Sequence, residues 1–164
     1  YLVEEVVVQN DIMNSLSSSS VNTIRIVTIR SKGEVKLVAG CVRMGRNGNA
    51  VDNFNSGGLS SILDINTGTM VTDGFDRARD VYLTHPDTGT TFKGCKVPMW
   101  EEVVALVKEA GQVVPQIGYV GWDVAISRDH GPLLIEGNSY PGQDVTQYPK
   151  LNIGTYGVMM EALK

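Results

Sequence analysis

The sequence contains little cysteine and little histidine. Its only cysteines are Cys41 and Cys95, and its only histidines are His85 and His130. The cysteines are not spaced as a C-x-x-C pair, and two histidines are few for the usual zinc patterns, so we expect no zinc site. Isolated thiols are typical of buried or neutral groups in a reducing compartment, and we therefore predict a cytoplasmic protein.

Long apolar runs and an excess of positive charge are also absent. No apolar run approaches the ~20 residues that a membrane span needs, so no span is expected. With 14 basic and 18 acidic residues the net charge is −4, which disfavours non-specific binding of nucleic acid. The 164 residues are 42% hydrophobic, which is ordinary for a globular protein with one core. We predict a single domain over residues 1–164.

The spacing of apolar and turn-forming residues predicts a meandering sheet. Polar residues 10–20 are expected to form a mobile loop, and residues 66–68 a turn between two short strands. Consecutive hairpins with two helices predict an α+β fold, an antiparallel sheet flanked by helices. Longer strands are expected near residues 3–8, 21–30, 34–43, 119–127 and 132–137.

Two helices are expected beside this sheet. The first covers residues 99–110, because Trp100, Val103 and Val107 share one helical face and should be buried on the sheet. Gly111 is expected to lie beyond its end. The second helix is expected over residues 156–164.

Two acidic residues are expected to face each other across a hairpin near residue 130. With residues 128–131 as a four-residue loop, Ser127 pairs with Pro132 and Asp123 lies directly opposite Glu136. Asn138 projects from the same face as Glu136, two residues away. The other face of the hairpin is apolar enough to be core and comprises Trp122, Val124, Ile126, Leu133 and Ile135.

The opposed acids indicate a metal site, because like charges directly opposite each other weaken a sheet. Two carboxylates and an amide oxygen over an apolar floor suit a hard divalent cation, Mg²⁺ above all. The alternative is a solvated hairpin face with two acids on it by chance. The register depends on the assumed turn, and a slip of one residue would move every side chain to the other face.

Two arginines project from otherwise apolar strands. The turn after Ile29 is expected to place it opposite Val35, with Arg25 opposite Cys41 and Arg43 diagonally within reach. An arginine in such a position needs an anion or an acidic partner. A ligand and a structural ion pair with Asp or Glu remain equal alternatives for both arginines.

A glycine-rich stretch, Asp52-Asn-Phe-Asn-Ser-Gly-Gly58, follows the second of these strands. It lacks the Lys-Ser/Thr ending of a P-loop, so it either brings backbone N–H groups to a phosphate or is only a turn. We expect the arginines to converge on a phosphate, a sulfate or an acidic side chain near Asn53 and the backbone of Gly57 and Gly58.

The order of these motifs resembles a known family. It looks like the C-terminal half of an ATP-grasp enzyme over nearly all of the chain, closest to the sugar-transfer-associated branch. It is also similar to the amino-acid ligases that modify ribosomal protein tails. The residues that carry the resemblance are Leu2-Val-Glu-Glu-Val-Val7, Thr23-Ile-Arg25, Val42-Arg43, Asp52-Asn53 with Gly57-Gly58, Gly121-Trp-Asp123 and Leu134-Ile-Glu-Gly-Asn-Ser-Tyr-Pro-Gly142.

The resemblance implies ATP and Mg²⁺ as cofactors, and it implies roles for individual positions. Asp123, Glu136 and Asn138 would hold one or two Mg²⁺ ions that bridge the ATP phosphates. Arg25 and Arg43 would be catalytic and would face the γ-phosphate and the acceptor carboxylate. Asn53 and the backbone of Gly57 and Gly58 would assist them. A hinge segment would read the adenine edge through its backbone, and its residues are Glu4, Glu5, Val6 and Val7.

The reaction implied by the resemblance is a ligation in two steps. ATP phosphorylates a carboxylate to an acyl phosphate, and an amine, or less often another nucleophile, then displaces phosphate. The substrates would be a small-molecule or saccharide-linked carboxylate and amine. A nucleotide- or metal-binding module without catalysis, serving regulation or scaffolding, is an alternative that the complete metal triad disfavours. A purely structural α+β domain would leave the opposed acids without a reason.

Two departures from the family pattern bear on these expectations. The first ATP-binding lobe, with its phosphate-covering loop and its lysines, would precede Tyr1. Because the chain starts without Met inside a strand-like run, we expect a fragment of a longer protein. Some ATP-grasp ligases also carry an arginine two residues before the metal-binding aspartate. Gly121 occupies that position here, so the role falls to Arg25 or Arg43 or is unneeded.

Overall fold

The computed structural model describes residues 5–145 and 154–164, which form eight strands and three helices. The strands are β1 (Thr23–Ser31), β2 (Glu34–Met44), β3 (Leu59–Asp64), β4 (Thr69–Met70), β5 (Gly74–Phe75), β6 (Val81–Tyr82), β7 (Tyr119–Ser127) and β8 (Gly131–Asn138). The helices are α1 (Asp11–Leu16), α2 (Trp100–Val113) and α3 (Tyr156–Leu163), and Phe54–Ser56 forms a 3-10 turn. None of these helices is long and apolar enough to cross a membrane.

The eight strands form one antiparallel sheet. Their order is β6-β5-β3-β2-β1-β7-β8, and β4 pairs with β3 beside this path. Every strand pairing is antiparallel. The predicted α+β fold, an antiparallel sheet flanked by helices, is therefore confirmed. The hairpin of β7 and β8 lies at one edge of the sheet.

One face of the sheet packs against α2 and forms the main core. Trp100, Val103 and Val107 are buried there as predicted. The helix continues to Val113, beyond its predicted end at residue 110. A Cβ on Gly111 would lie 3.0 Å from the side chain of Val35, so this glycine permits close packing of the helix on β2 and does not end the helix.

The opposite face of the sheet is covered in part by α3. Ala162 of this helix packs in a cluster with Val27, Ile29, Val38 and Ala39. The helix bounds agree with the prediction for residues 156–164 to within one residue. Arg25 precedes Val27 and Ile29 on the same face of β1 but lies outside this cluster, and the candidate site is built around it.

Residues 10–20 contain a helix, so the predicted mobile loop is wrong. The Asn10 side chain caps α1 by accepting from the Ile12 N–H at 3.0 Å, and Met13 and Leu16 are fully buried. The Gln9 amide donates to the carbonyls of Ser17 and Ser20 at 2.9 and 2.8 Å. Because side chains satisfy the backbone in this way, a segment with few apolar residues still packs against the core.

The first predicted strand is also absent from residues 5–8, while residues 1–4, including Glu4, lie outside the described residues. The segment nevertheless runs beside β7. The Arg128 N–H donates to the Val8 carbonyl at 2.8 Å, and the Asn10 N–H donates to the Ile126 carbonyl at 2.7 Å. Gln9 makes an isolated bridge with Ser127.

The apolar face of the hairpin is core on β7 but not along all of β8. Trp122, Val124 and Ile126 are buried as predicted, whereas Ile135 is 51% exposed. The prediction for Ile135 fails because this residue is the extra one in a bulge, between Leu134 and Glu136, and because β8 is the outermost of the strands that the structure describes on this side of the sheet.

Candidate functional site

The β7–β8 hairpin places Asp123 directly opposite Glu136, although its turn differs from the predicted one. Ser127 pairs with Gly131, so the loop has three residues and not four. A bulge between Asp123 and Val124 leaves Ile135 without a partner in the ladder. The shorter loop and the bulge each shift the register by one residue, and because the two shifts cancel, the predicted pairing is correct.

Asn138 joins Glu136 on the same side of β8. Its Nδ2 donates to Glu136 Oε1 at 2.8 Å, and it lies opposite Gly121 on β7. A Cβ on Gly121 would lie 2.5 Å from Pro141 Cβ and 3.3 Å from Arg25 Cδ. The space for a side chain at position 121 is therefore filled by Pro141 and by the side chain of Arg25.

Asp123 carries the ion pairs of both predicted arginines. Arg25 lies directly opposite it across β1 and β7, and its Nε and Nη2 donate to the two carboxylate oxygens, Nη2 at 2.7 Å. Arg43 Nη1 donates to Asp123 Oδ2 at 3.1 Å. Burial raises the pKa of Asp123, but the hydrogen bond and charge of Arg25, the hydrogen bond of Glu136 and the charge of Arg43 together lower that pKa by more, so it lies below its usual value. Asp123 is therefore a carboxylate at neutral pH.

The β1–β2 pairing brings the arginines together by a second bulge. Arg25 lies opposite Cys41 as predicted, whereas Ile29 lies opposite Lys36 and not Val35. An unbroken ladder from Ile29 opposite Val35 would have placed Arg25 opposite Ala39, so the predicted pairings of Ile29 and Arg25 were not consistent with each other. The observed turn and the bulge between Val27 and Thr28 each move the register by one residue, and together they bring Arg25 opposite Cys41. Burial raises the pKa of the Cys41 thiol, which is therefore neutral between the two arginines.

Asp52 is a second acidic partner of Arg43, and the sequence reasoning gave it no role. Its Oδ1 lies 3.7 Å from Arg43 Nη2, and its Oδ2 accepts from the Thr23 N–H at 3.0 Å and from the Thr23 hydroxyl. The sequence feature that could have indicated a role for Asp52 is its position directly before Asn53 in the glycine-rich stretch. The predicted convergence of both arginines on an acidic side chain is met by Asp123, to which Asp52 adds a second acid for Arg43.

The backbone N–H groups of the glycine-rich turn donate to carbonyl groups of the same turn. The Gly57 N–H donates to the Phe54 carbonyl at 3.4 Å, and the Gly58 N–H donates to the Asn53 carbonyl at 3.1 Å. Asn53 Oδ1 accepts from the Asn55 N–H at 3.0 Å and caps the 3-10 turn. Because both glycine N–H groups are used within the turn, they are not directed at a phosphate in this arrangement, and the predicted phosphate role is not supported for Gly57 and Gly58.

A cavity of about 280 Å³ collects most of the predicted site. Its polar walls come from β1, β2, the 3-10 turn and the end of β8, and Cys41 also lines it. Asp123 is only 3% exposed and forms ion pairs with two of the wall residues, Arg25 and Arg43. The predicted site residues that line the cavity are Arg25, Arg43, Asn53, Glu136 and Asn138.

The family model for sugar-transfer associated ATP-grasp proteins matches residues 1–152. The chain belongs to this family. The suspected branch is thereby confirmed, and family membership supports the general activity of an ATP-grasp ligase and the binding of ATP. A comparison with curated proteins finds no match.

The described residues of the expected hinge lie at a second, smaller cavity. Glu5, Val6 and Val7 line a space of about 100 Å³ together with Ser127, His130 and Leu133. Leu133 at this cavity and Glu136 at the larger one are three residues apart on β8, which corresponds to about 10 Å along a strand. The two cavities are therefore lined by different parts of β8.

The residues expected to bind metal form a donor set that would suit Mg²⁺. In the ranges 5–145 and 154–164, no group of three or more His, Cys, Asp or Glu side chains is placed to hold a metal ion. The predicted set needs only two carboxylates, Asp123 and Glu136, and adds the amide oxygen of Asn138, which is hard-cation chemistry. The guanidinium groups of Arg25 and Arg43 supply positive charge at Asp123, so a metal ion must displace or share at least one of these contacts.

Proposed function

We propose that the chain is the catalytic part of an ATP- and Mg²⁺-dependent ligase that joins a carboxylate to an amine through an acyl phosphate. The observation that carries this proposal is the meeting of two sets of side chains at one cavity. Asp123, Glu136 and Asn138 supply oxygen ligands, and Arg25 and Arg43 supply two positive charges next to them. Phosphoryl transfer depends mainly on charge neutralisation and in-line positioning, which such a site provides.

The nucleotide is placed along β8 in this proposal. The backbone of residues 5–7 reads the adenine edge at the smaller cavity, where side-chain identity matters little. The phosphates reach the larger cavity near Glu136 and Asn138. Asp123, Glu136 and Asn138 would hold Mg²⁺ there, and the ion would supply positive charge that neutralises the phosphates.

The two arginines act on the acceptor side of the cavity. A carboxylate that attacks the γ-phosphate is itself an anion, so it must be held against electrostatic repulsion by the phosphates. Arg25 and Arg43 are half-buried, and guanidinium groups bind carboxylate and phosphate oxygens in forked geometry. Arg25 thereby takes the place of the arginine that other ligases carry at the position of Gly121.

A saccharide-linked acceptor is supported by the polar wall around the arginines. The amides of Asn53 and Asn55 and the carboxylate of Asp144 line the cavity, and Tyr140 at its rim is 95% exposed. Amide and carboxylate groups bind sugar hydroxyls, and an exposed aromatic ring offers an apolar face to a sugar ring. The family description, which refers to sugar transfer, agrees with this class of acceptor.

Hydroxylamine trapping tests the proposed reaction. The full-length protein is incubated with Mg²⁺, ATP, hydroxylamine and a panel of uronic, sugar and amino acids. An acyl phosphate reacts with hydroxylamine to give a hydroxamate, so one hydroxamate should form per ADP with the correct carboxylate. ADP release that no carboxylate stimulates, without hydroxamate, would contradict the ligase.

A nucleotide- or metal-binding module without catalysis is the second candidate. The specific observation in its favour is that both oxygens of Asp123 already accept from guanidinium groups, which would make a permanent structural ion pair. This candidate predicts ATP binding that survives neutralisation of Asp123. The ligase predicts that such a variant loses Mg²⁺-dependent binding.

A further inference from the structure

The Arg43 guanidinium lies between two carboxylates. Its Nη1 donates to Asp123 Oδ2 at 3.1 Å, and its Nη2 lies 3.7 Å from Asp52 Oδ1. The first contact is a hydrogen bond and the second is an ion pair just beyond hydrogen-bonding distance. A movement of less than about 1 Å would therefore transfer the hydrogen bond of Arg43 from Asp123 to Asp52.

Asp52 is held in place from its other side. Its Oδ2 accepts from the backbone and the hydroxyl of Thr23, which lies directly opposite Arg43 in the β1–β2 ladder. A Cβ on Gly58 would lie only 2.7 Å from the Asp52 carbonyl oxygen, so the backbone at Asp52 packs tightly on this glycine. Thr23 thus fixes the Asp52 carboxylate through Oδ2, and the other oxygen, Oδ1, faces Arg43.

Arg43 is the arginine that Asp123 releases more easily. Arg25 binds Asp123 through two nitrogens in a fork, whereas Arg43 contributes one hydrogen bond. A divalent cation at Asp123 is repelled by both guanidinium groups, and the repulsion falls when one of them moves away. The arginine with the weaker attachment and with a second acid beside it is Arg43.

We propose that Asp52 is a positioning residue that takes over Arg43 when Asp123 binds the metal ion. The proposal rests on the proposed metal site and adds a residue to it. Held by Asp52 through Nη2, Arg43 stays at the wall of the 280 Å³ cavity, and its Nη1 becomes available to an anionic oxygen there. Metal binding at Asp123 and anion binding at Arg43 are thereby coupled through one short movement.

The test measures the affinity for Mn²⁺ alone, by electron paramagnetic resonance of the free ion, in the full-length protein. Asp52→Asn keeps the shape of the side chain and removes its charge. We expect it to weaken Mn²⁺ binding about tenfold, because Arg43 released from Asp123 then lacks a charged partner. In an Arg43→Gln background the same Asp52→Asn change should not alter the Mn²⁺ affinity, because Asp52 then has no guanidinium group to bind.

A second variant covers the case in which Asp52→Asn does not fold. Thr23→Val removes only the hydroxyl that fixes Asp52, and we expect about threefold weaker Mn²⁺ binding, again only when Arg43 is present. If Mn²⁺ affinity falls equally with and without Arg43, the role of Asp52 is only structural and the proposal is wrong. Unchanged Mn²⁺ affinity in both the Asp52→Asn and Thr23→Val variants would also overturn it. Failure of the metal site itself gives a different result, because Asp123→Asn would then leave Mn²⁺ binding unchanged.

Discussion

Asp123 joins two sets of residues that the sequence suggests separately. It is one of the predicted metal ligands, and it is also the acid that pairs with both predicted catalytic arginines. The ion pair and the anion site were alternatives for the arginines, yet the structure combines features of both, because the same guanidinium groups also line the cavity. The pairing of Arg25 with Asp123 could not be predicted, since β1 and β7 are distant in sequence and apolar alternation does not say which strands are neighbours.

Removal of the Arg43 side chain should impair turnover more than folding. We expect Arg43→Ala to reduce kcat by ~10²-fold or more, as the loss of transition-state electrostatics usually does. Arg77→Ala, an exposed arginine outside the cavity, is the matched control and should leave kcat unchanged. If Arg43→Ala unfolds the protein, or folds with normal turnover, Arg43 is a structural ion-pair partner and not a catalytic residue.

The lowered pKa of Asp123 makes stability depend on acid. A carboxyl group whose pKa is lower in the folded than in the unfolded state adds stability above its unfolded pKa, and this stability is lost as the pH falls through the folded pKa. Asp123→Asn should therefore be less stable than the wild type above about pH 5, and the difference should shrink below about pH 4. Urea unfolding from pH 3 to 7 measures this gap, and a gap independent of pH would contradict the account.

Two irregularities of single residues decide which side chains meet within the sheet. The bulges at Val27/Thr28 and at Asp123/Val124 set the registers of Arg25 and of Glu136. Apolar periodicity predicts strands, helices and their buried faces well, and the helical spacing placed Val103 and Val107 correctly in the core. It does not predict bulges, because one extra residue leaves the apolar pattern on either side of it nearly unchanged, in the central strand β2 as well as in the edge strand β8. Helix α1 was missed because its stability comes from polar contacts of Gln9 and Asn10.

Gly58 should not tolerate even a methyl group. Its Cβ would lie 2.7 to 3.0 Å from three carbonyl oxygens, including that of Asp52. We expect Gly58→Ala to lower the free energy of unfolding by about 1–3 kcal/mol, as overpacking does. Gly118→Ala is the control, because its Cβ would make only an ordinary contact of 3.6 Å with the Arg30 carbonyl oxygen. Equal stability of the two variants in urea unfolding would show that the backbone near Asp52 yields easily.

Helix α2 should stabilise the sheet through its buried face. Val107 is fully buried in the main core, and Val107→Ala should lower the free energy of unfolding by about 2 kcal/mol. Val113 lies at the end of the same helix and is 74% exposed, so Val113→Ala should change it by less than about 0.5 kcal/mol. Thermal unfolding measures the stability of both variants, and a larger loss in Val113→Ala than in Val107→Ala would contradict the packing of α2 on the sheet.

The whole molecule presents its candidate site on the sheet face opposite α2. The two cavities flank β8, one lined by residues 5–8 and the other by Arg25, Arg43 and Glu136. The family and the fold class were predictable because motif order and hairpin patterns persist along the whole chain. The roles of Asp52 and of the glycine turn were not predictable, since they depend on contacts between segments that only the folded sheet brings together.

The most direct test of the account is calorimetric titration of the full-length protein with ATP, with and without Mg²⁺. We expect ATP binding that depends on Mg²⁺ and collapses in the Asp123→Asn, Glu136→Gln double variant. The matched control is Glu102→Gln, Glu109→Gln, which neutralises two exposed acids on α2, on the other side of the sheet, and it should bind as the wild type does. Unchanged Mg²⁺-dependent affinity and turnover in the Asp123→Asn, Glu136→Gln variant would remove these residues from the site and contradict the account.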